Sequence, residues 1–407
     1  MMNKTQIKVL SVSWITYAVF YFLRVNFSIA IPGIIAEFEI TKTALGLGAS
    51  TFFAMYAIGQ FVSGQLADNI GPKKVVAIGL VFSIIINAVI PFWGGIVLLV
   101  TVLWGLNGIF QSMGWSPNVK IASAWFPINQ KGRASGILGT SYIVGGALSW
   151  VLAGFLAQWG WRFVFYGPVI IALVVVVFWL IFCKENPEAA EEKTNLKETV
   201  FAVLNNRRIW LAGFGLFGLN IVRYGFLTWA PTYFFEVQQA DITLATFKAL
   251  VFPIAGAFGA IITGWLSDSL FKHNRTLVGF ILCILLAVSL VIFINTTNWI
   301  IGLILLSIIG FCTFGPHMML VTELPMILGS SKNTASICGF IDGIGYIGAA
   351  LTGILSGFLA DSFGWDFPFY FWVLGAVIAG IFILLSHQKQ AKLGALEYRR
   401  KIHARVD

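Results

Sequence analysis

Tyr21-Phe22-Leu23-Arg24-Val25-Asn26-Phe27-Ser28-Ile29-Ala30-Ile31-Pro32 sets one arginine inside an apolar run that reads from about Val9 to Ile35, roughly the length a helix needs to cross a bilayer. A lone arginine near the middle of such a run costs about 2.5 to 3.5 kcal/mol or more, so it must face protein, water or an anion. A second apolar run, from about Ile209 to Phe235, carries Arg223 near its own centre. The two arginines stand 199 positions apart, close to half of the 407 residues. Two buried charges at matching places point to a site.

Working outward, 58% of the residues are hydrophobic, only 11% are charged and the mean hydropathy is +0.87, which a soluble domain of this size could not carry without exposing large apolar patches. The chain reads as an all-α, multi-pass membrane protein. Apolar segments separated by short polar breaks count to about twelve, beginning near Val9, Thr43, Val75, Ile96, Ala134, Phe163, Ile209, Thr243, Leu277, Trp299, Asn333 and Phe367. The first is too long for a signal-peptide core and no small-residue cleavage site follows it, so it is expected to be a retained helix. The net charge of +9 does not point to nucleic acid, because the basic residues sit in loops rather than in an aromatic-laced patch. One set of alternate loops holds most of them, from Lys4 and Lys8 through Lys73, Lys74, Lys131, Arg133, Arg207 and Arg208 to the tail, and the other holds Lys42, Arg162 and Lys248. That asymmetry predicts an even number of helices, with both termini on the cytoplasmic side of the plasma (inner) membrane. Cys183, Cys283, Cys312 and Cys338 are isolated and lack metal-ligand spacing, so they read as packing residues. Neither a metal nor a cofactor is expected, and the chain is expected to act as a monomer in the lipid bilayer.

An internal repeat at an offset near 200 organises the chain. Gly64-Gln65-Leu66-Ala67-Asp68-Asn69-Ile70-Gly71-Pro72-Lys73-Lys74 is answered by Gly264-Trp265-Leu266-Ser267-Asp268-Ser269-Leu270-Phe271-Lys272. Gly145-Gly146-Ala147-Leu148 and Gly154-Phe155-Leu156-Ala157 return as Gly348-Ala349-Ala350-Leu351 and Gly357-Phe358-Leu359-Ala360, and Pro117 is matched by Pro316. Four echoes in step predict two pseudo-symmetric six-helix bundles, residues 1–183 and 209–387, joined by a polar loop at 184–208 and followed by a basic tail at 388–407. This organisation, with its Gly-x-x-x-Asp-x-x-Gly-Pro-Lys-Lys loop, resembles the major facilitator fold, which implies halves that rock about a central site.

Asp68 with Lys73 and Lys74, and Asp268 with Lys272 and Arg275, lie at helix ends, where charge pairs and helix termini would clamp one conformation; these are expected to be gating residues. Two literal G-x-G-x-x-G strings, Gly213 to Gly218 and Gly343 to Gly348, follow no strand and read instead as close-packing helix surfaces. No nucleotide-binding loop, nucleophile elbow or paired catalytic carboxylates occurs, so an enzyme is not expected and a solute or ion gradient must supply the drive.

Facing each other, the guanidiniums of Arg24 and Arg223 would grip a dianion with paired hydrogen bonds; alternatively, each is neutralised by a carboxylate in its own half. Lys120 adds a further cation. Asp342 would carry a coupled proton, pair with an arginine, or hydrogen-bond within its Gly-rich helix. His317 would titrate during transport or pack as a hydrogen-bonded residue. Tyr21, Gln60, Tyr142 and Tyr224 are the remaining polar groups expected to face the substrate.

Arg24-Val25-Asn26-Phe27 with Ala30 and Pro32, Gln111-Ser112-Met113-Gly114-Trp115-Ser116-Pro117, and Arg223-Tyr224-Gly225-Phe226-Leu227-Thr228-Trp229-Ala230-Pro231-Thr232-Tyr233 together resemble the organophosphate:phosphate antiporter family over nearly the whole chain. The resemblance implies exchange of a phosphate ester for inorganic phosphate, with Arg24 and Arg223 holding the phosphoryl group. The chain departs from the glycerol-phosphate members at Val25 and Gln60, where those carry lysines, and at Tyr142, where they carry a histidine. That puts glycerol phosphate itself in question and opens the cargo to a different phosphate ester, a phosphonate or a carboxylate. Two other functions stay open: proton-coupled symport of a sugar acid or other carboxylate through Asp342, and sensing of an organic phosphate without moving it.

Overall fold

The computed structural model describes residues 2, 4–126, 128–184, 205–269, 275–296, 298–324 and 334–403. Twelve helices succeed one another, with no strand among the described residues. They are α1 (Lys4–Phe22 continuing as Asn26–Phe38), α2 (Lys42–Ile70), α3 (Pro72–Val89), α4 (Val97–Ser112 continuing as Trp115–Ala124), α5 (Ile128–Leu156), α6 (Phe163–Phe182), α7 (Arg207–Glu236), α8 (Ile242–Ser269), α9 (Arg275–Ile294), α10 (Trp299–Met318), α11 (Thr334–Phe363) and α12 (Asp366–His403). Among the described residues, ten spans are long and apolar enough to cross a membrane, and Val97–Ser112 is a shorter apolar helix.

Sequence chemistry accounts for the ends. Thr41 caps α2 by accepting from the Ala44 amide at 3.2 Å, and Asn298 caps α10 through the Ile300 and Ile301 amides, each satisfying donors that the first turn cannot. Between α2 and α3, Gly71 takes φ +92°, a conformation glycine adopts without steric cost, and Pro72 starts the next helix. On α6, Ala172 and Trp179 are fully buried, whereas Ile170, Val174, Val177 and Ile181 are 54–66% exposed. These four fall on one stripe at helical spacing, which is the surface a bilayer covers.

The contacts sort the chain into two compact units: Met1–Lys193 with Arg223–Ala255 and Ala349–Phe371, and Thr194–Val222 with Gly256–Gly348 and Trp372–Asp407. Inside each unit the sequence repeat returns as packing. In the first, a Cβ on Gly145 would lie 2.5 Å from the Ala18 carbonyl, and Gly59 sits against Ser112 and Ile109. In the second, Gly348 sits against the Phe217 carbonyl and Gly259 against that of Phe311. Thus α5 closes on α1 as α11 closes on α7, and α2 meets α4 as α8 meets α10, at glycines that correspond between the halves. The two glycine strings prove to face one another: Gly213 meets Ile344 and Gly345 meets Leu216. They are helix-packing surfaces, as their setting in apolar runs predicts.

Candidate functional site

The site begins at a fault in α1. After Phe22 the helix breaks for three residues, tied by tight turns from the Leu23 and Arg24 amides, each 3.2 Å from the carbonyls of Phe20 and Tyr21, and from the Val25 amide, 3.0 Å from Tyr21. Carbonyls at a helix end lose their intrahelical partners. Here the Leu23 carbonyl accepts from two side chains, Asn87 Nδ2 of α3 at 3.2 Å and Asn107 Nδ2 of α4 at 2.9 Å. Asn26, the first residue after the break, donates to Asn87 Oδ1 at 3.0 Å and to the Val164 carbonyl at 3.3 Å. All three asparagines are fully buried.

The break presents Arg24 to a small cavity of about 40 Å³. Tyr21, Arg24, Arg223 and Tyr224 line it together, with Ser28 and Thr228 as further polar groups and Phe27, Phe52, Phe53 and Trp104 among the apolar walls. Both arginines are 6% exposed. Arg24 Nη2 donates to the Tyr224 hydroxyl at 3.2 Å, and its guanidinium carbon lies 4.5 Å from the Tyr56 ring centre and 5.1 Å from that of Tyr21. The Tyr224 ring lies within 6.0 Å of both guanidinium carbons and packs on Phe53 at 4.4 Å. Rings around a guanidinium lower the cost of burying its charge, by about 0.5 to 2 kcal/mol for each favourable cation–π contact. The two positive charges share one aromatic-walled chamber.

The other residues expected at the site take different places. Tyr142 stands behind Tyr21, ring centres 6.1 Å apart, and against Trp115. Gln60 on α2 and Lys120 on α4 are half-buried and outside the cavity lining. Asp342, half-buried on α11, and His317, buried on α10, belong to the second compact unit. Of the expected gating residues, Lys73 Nζ donates to the Leu180 carbonyl at 2.8 Å and Lys74 is exposed. Lys272 and the side chains of Asp68, Asp268 and Arg275 lie outside the described residues, as do most of the 184–208 loop and the side chains of the basic tail. Among the described residues no cluster of three or more histidine, cysteine, aspartate or glutamate side chains gathers as a metal site would require.

A charged latch at one end of the first unit was not visible in the sequence. Lys42 Nζ, at the start of α2, pairs with Glu236 of α7 at 3.2 Å and Asp361 of α11 at 3.5 Å. Asp361 also accepts from the Thr43 amide at 2.7 Å and the Thr43 hydroxyl at 2.6 Å, and Glu236 accepts from the Trp365 indole at 2.9 Å. Beneath the latch the backbones touch. Gly46 sits on the Gly353 carbonyl, a Cβ on Gly357 would lie 2.6 Å from the Lys42 carbonyl, and the Ile354 amide donates to Ser50 Oγ at 2.7 Å. Nearby, Arg162 holds Glu37 through its Nη1 at 2.6 Å, and this bond raises the guanidinium's pKa.

Residues 13–351 match the Major Facilitator Superfamily. The chain is 31% identical to a probable hexose phosphate transport protein of Chlamydia trachomatis, over 90% of this chain and 88% of the relative. It is 30% identical to a glycerol-3-phosphate transporter of Bacillus subtilis, over 92% and 90% of the two chains, and 30% identical to the membrane sensor protein UhpC of Escherichia coli, over 91% and 89%. Its fold matches that of a bacterial homologue of the human lysosomal transporter Spinster with a TM-score of 0.85, at 16% identity, over 96% of this chain and 99% of that one.

Proposed function

The chain belongs to the Major Facilitator Superfamily, a family of membrane transporters and not of enzymes, within the branch that holds the organophosphate:phosphate antiporters, and from that premise we propose that it exchanges a small phosphate ester for inorganic phosphate by alternating access. The observation that carries this reading is the pair Arg24 and Arg223, both buried and both lining one cavity. Two planar guanidiniums match the oxygens of a phosphoryl dianion, and each is able to bind two of them. At about 40 Å³ the cavity has room for roughly one or two waters, each of which takes about 30 Å³ in the liquid. That suits a phosphoryl head, and the organic remainder must then lie beyond it.

In this mechanism bound dianion cancels the repulsion between the arginines. Loading therefore lowers the barrier to moving the halves, residues 1–183 and 209–387, past each other, and an empty carrier is held back. Such a carrier exchanges readily and does not leak. The charge asymmetry of the loops supports an inner-membrane protein with cytoplasmic termini.

The test is counterflow in proteoliposomes containing only this protein. Phosphate-loaded vesicles should take up labelled phosphate, release it faster when phosphate esters are added outside, and keep doing so with Asp342→Asn. Uptake that follows a pH gradient, needs no internal anion and vanishes in Asp342→Asn would replace this reading with proton symport. Binding without counterflow would make the protein a sensor, the role named for the E. coli relative.

A further inference from the structure

Resting on that reading, we infer that Asn87 and Asn107 are positioning residues for the anion grip: by holding the Leu23 carbonyl between α3 and α4 they keep α1 broken, and the break aims Arg24 into the cavity. Neither residue lines the cavity, yet both donate to the same backbone oxygen, at 3.2 and 2.9 Å, one residue before the arginine. Asn87 is anchored in turn, giving its second amide hydrogen to the Ser83 carbonyl at 2.9 Å and receiving Asn26 Nδ2 at 3.0 Å. Ser83 also receives Gln111 Nε2 at 3.2 Å. The clamp is thus a connected set on three helices, wholly buried.

The reason to break a helix here is directional. The Leu23 and Arg24 amides close three-residue turns, which advance about 120° per residue against about 100° in an α-helix, so regularising Leu23 to Val25 would rotate Arg24 by some tens of degrees and draw its guanidinium off the Tyr224 hydroxyl. An ordinary helix end in an apolar core leaves carbonyls that must find donors or close back into the ladder. Asn87 and Asn107 supply the donors. Replacing one by leucine leaves the Leu23 oxygen a single side-chain donor and favours closure of the helix, whereas a glutamine keeps a second amide donor within reach.

The test needs a reporter of direction. In a background with Cys183, Cys283, Cys312 and Cys338 each changed to serine, Arg24→Cys places one thiol at the cavity wall, and its alkylation rate by a small water-soluble reagent reads its access. Adding Asn107→Leu should slow alkylation about tenfold, a change the size of one lost buried hydrogen bond. Asn107→Gln should recover much of the rate. A role confined to stability predicts the opposite, since a loosened bundle exposes the thiol and speeds labelling. In the protein with Arg24 intact, the phosphate concentration for half-maximal exchange should rise about tenfold in Asn107→Leu, with the maximal rate within about twofold of the parent. Labelling that is unchanged or faster in Asn107→Leu overturns the inference. If that variant fails to insert, Asn87→Ala is assayed in the same way, with the same outcomes decisive. Labelling requires no substrate, so slowed alkylation without any phosphate effect would uphold the clamp and discard the phosphate reading instead.

Discussion

Five aromatic rings lie within 6.0 Å of the Arg24 guanidinium carbon, and this crowd explains how an arginine sits 6% exposed among apolar walls. The rings attract the cation through their π faces and carry no formal charge of their own that would cancel it. Removing either arginine should therefore abolish exchange: Arg24→Ala and Arg223→Ala are expected to insert normally and to lose at least about a hundredfold in labelled-phosphate counterflow, the scale of a truncated charge-assisted pair. Arg24→Lys keeps the charge but not the planar fork, and should recover little of that loss. Tyr224→Phe removes only the hydroxyl that receives Arg24; losing one hydrogen bond of about 0.5 to 1.5 kcal/mol should raise the half-saturating phosphate concentration roughly three- to tenfold. An unaltered saturation curve would show that the contact does not orient the guanidinium. The arginines were legible in the sequence because a charge in a membrane-length run is an anomaly that hydropathy registers at once. The rings were not, since Phe52, Phe53 and Tyr56 look like any lipid-facing aromatic until the fold turns them inward. The asparagines were less visible still: their partner is a backbone oxygen, which no side-chain pattern announces.

At the level of helices, the latch at the start of α2 joins one lysine to acids on α7 and α11, and the glycines beneath it let those backbones meet. Exposed ion pairs contribute little, about 0 to 1 kcal/mol, but Lys42 is one of a small set held in place by Thr43, Trp365 and the Gly46–Gly353 contact. The expectation is that Lys42→Gln shifts the carrier toward opening at this end and does not unfold it. A cysteine placed at Leu47 should then react with an impermeant thiol reagent several-fold faster than in the parent. Gly46→Leu should have a stronger effect, since a side chain cannot fit against the Gly353 carbonyl, and transport should fall by an order of magnitude or more even as reactivity rises. Equal labelling in all three proteins would mean that the latch does not gate. Twelve apolar segments and their order could be read directly from the sequence, because membrane-length runs separated by Gly, Pro and charge leave few alternatives. The latch was hidden, because Lys42, Glu236 and Asp361 each stand at a helix terminus, where a lone charge is as well explained by water as by a partner.

Across the whole molecule, the two repeats differ in what fills their contacts and agree in where they leave room. Gly145 rests on Ala18 where Gly348 rests on Phe217, and Gly59 meets Ser112 where Gly259 meets Phe311. Large substitutions at any of the four should block helix approach, so Gly145→Leu and Gly348→Leu are each expected to lower the detergent melting temperature by several degrees, an effect of about 1 to 3 kcal/mol from overpacking. Glycine echoes in register, with the Asp68/Asp268 and Pro117/Pro316 matches, made the repeat readable; the residues that each glycine packs against differ too much for the pairing to be seen without coordinates. What the two copies share is therefore an absence, a missing methyl at two corresponding addresses in each, while the chemistry around each vacancy differs. A chain packed in this way can exchange residues on one wall at a time, because the close helix contacts at these glycines do not depend on what that wall contains.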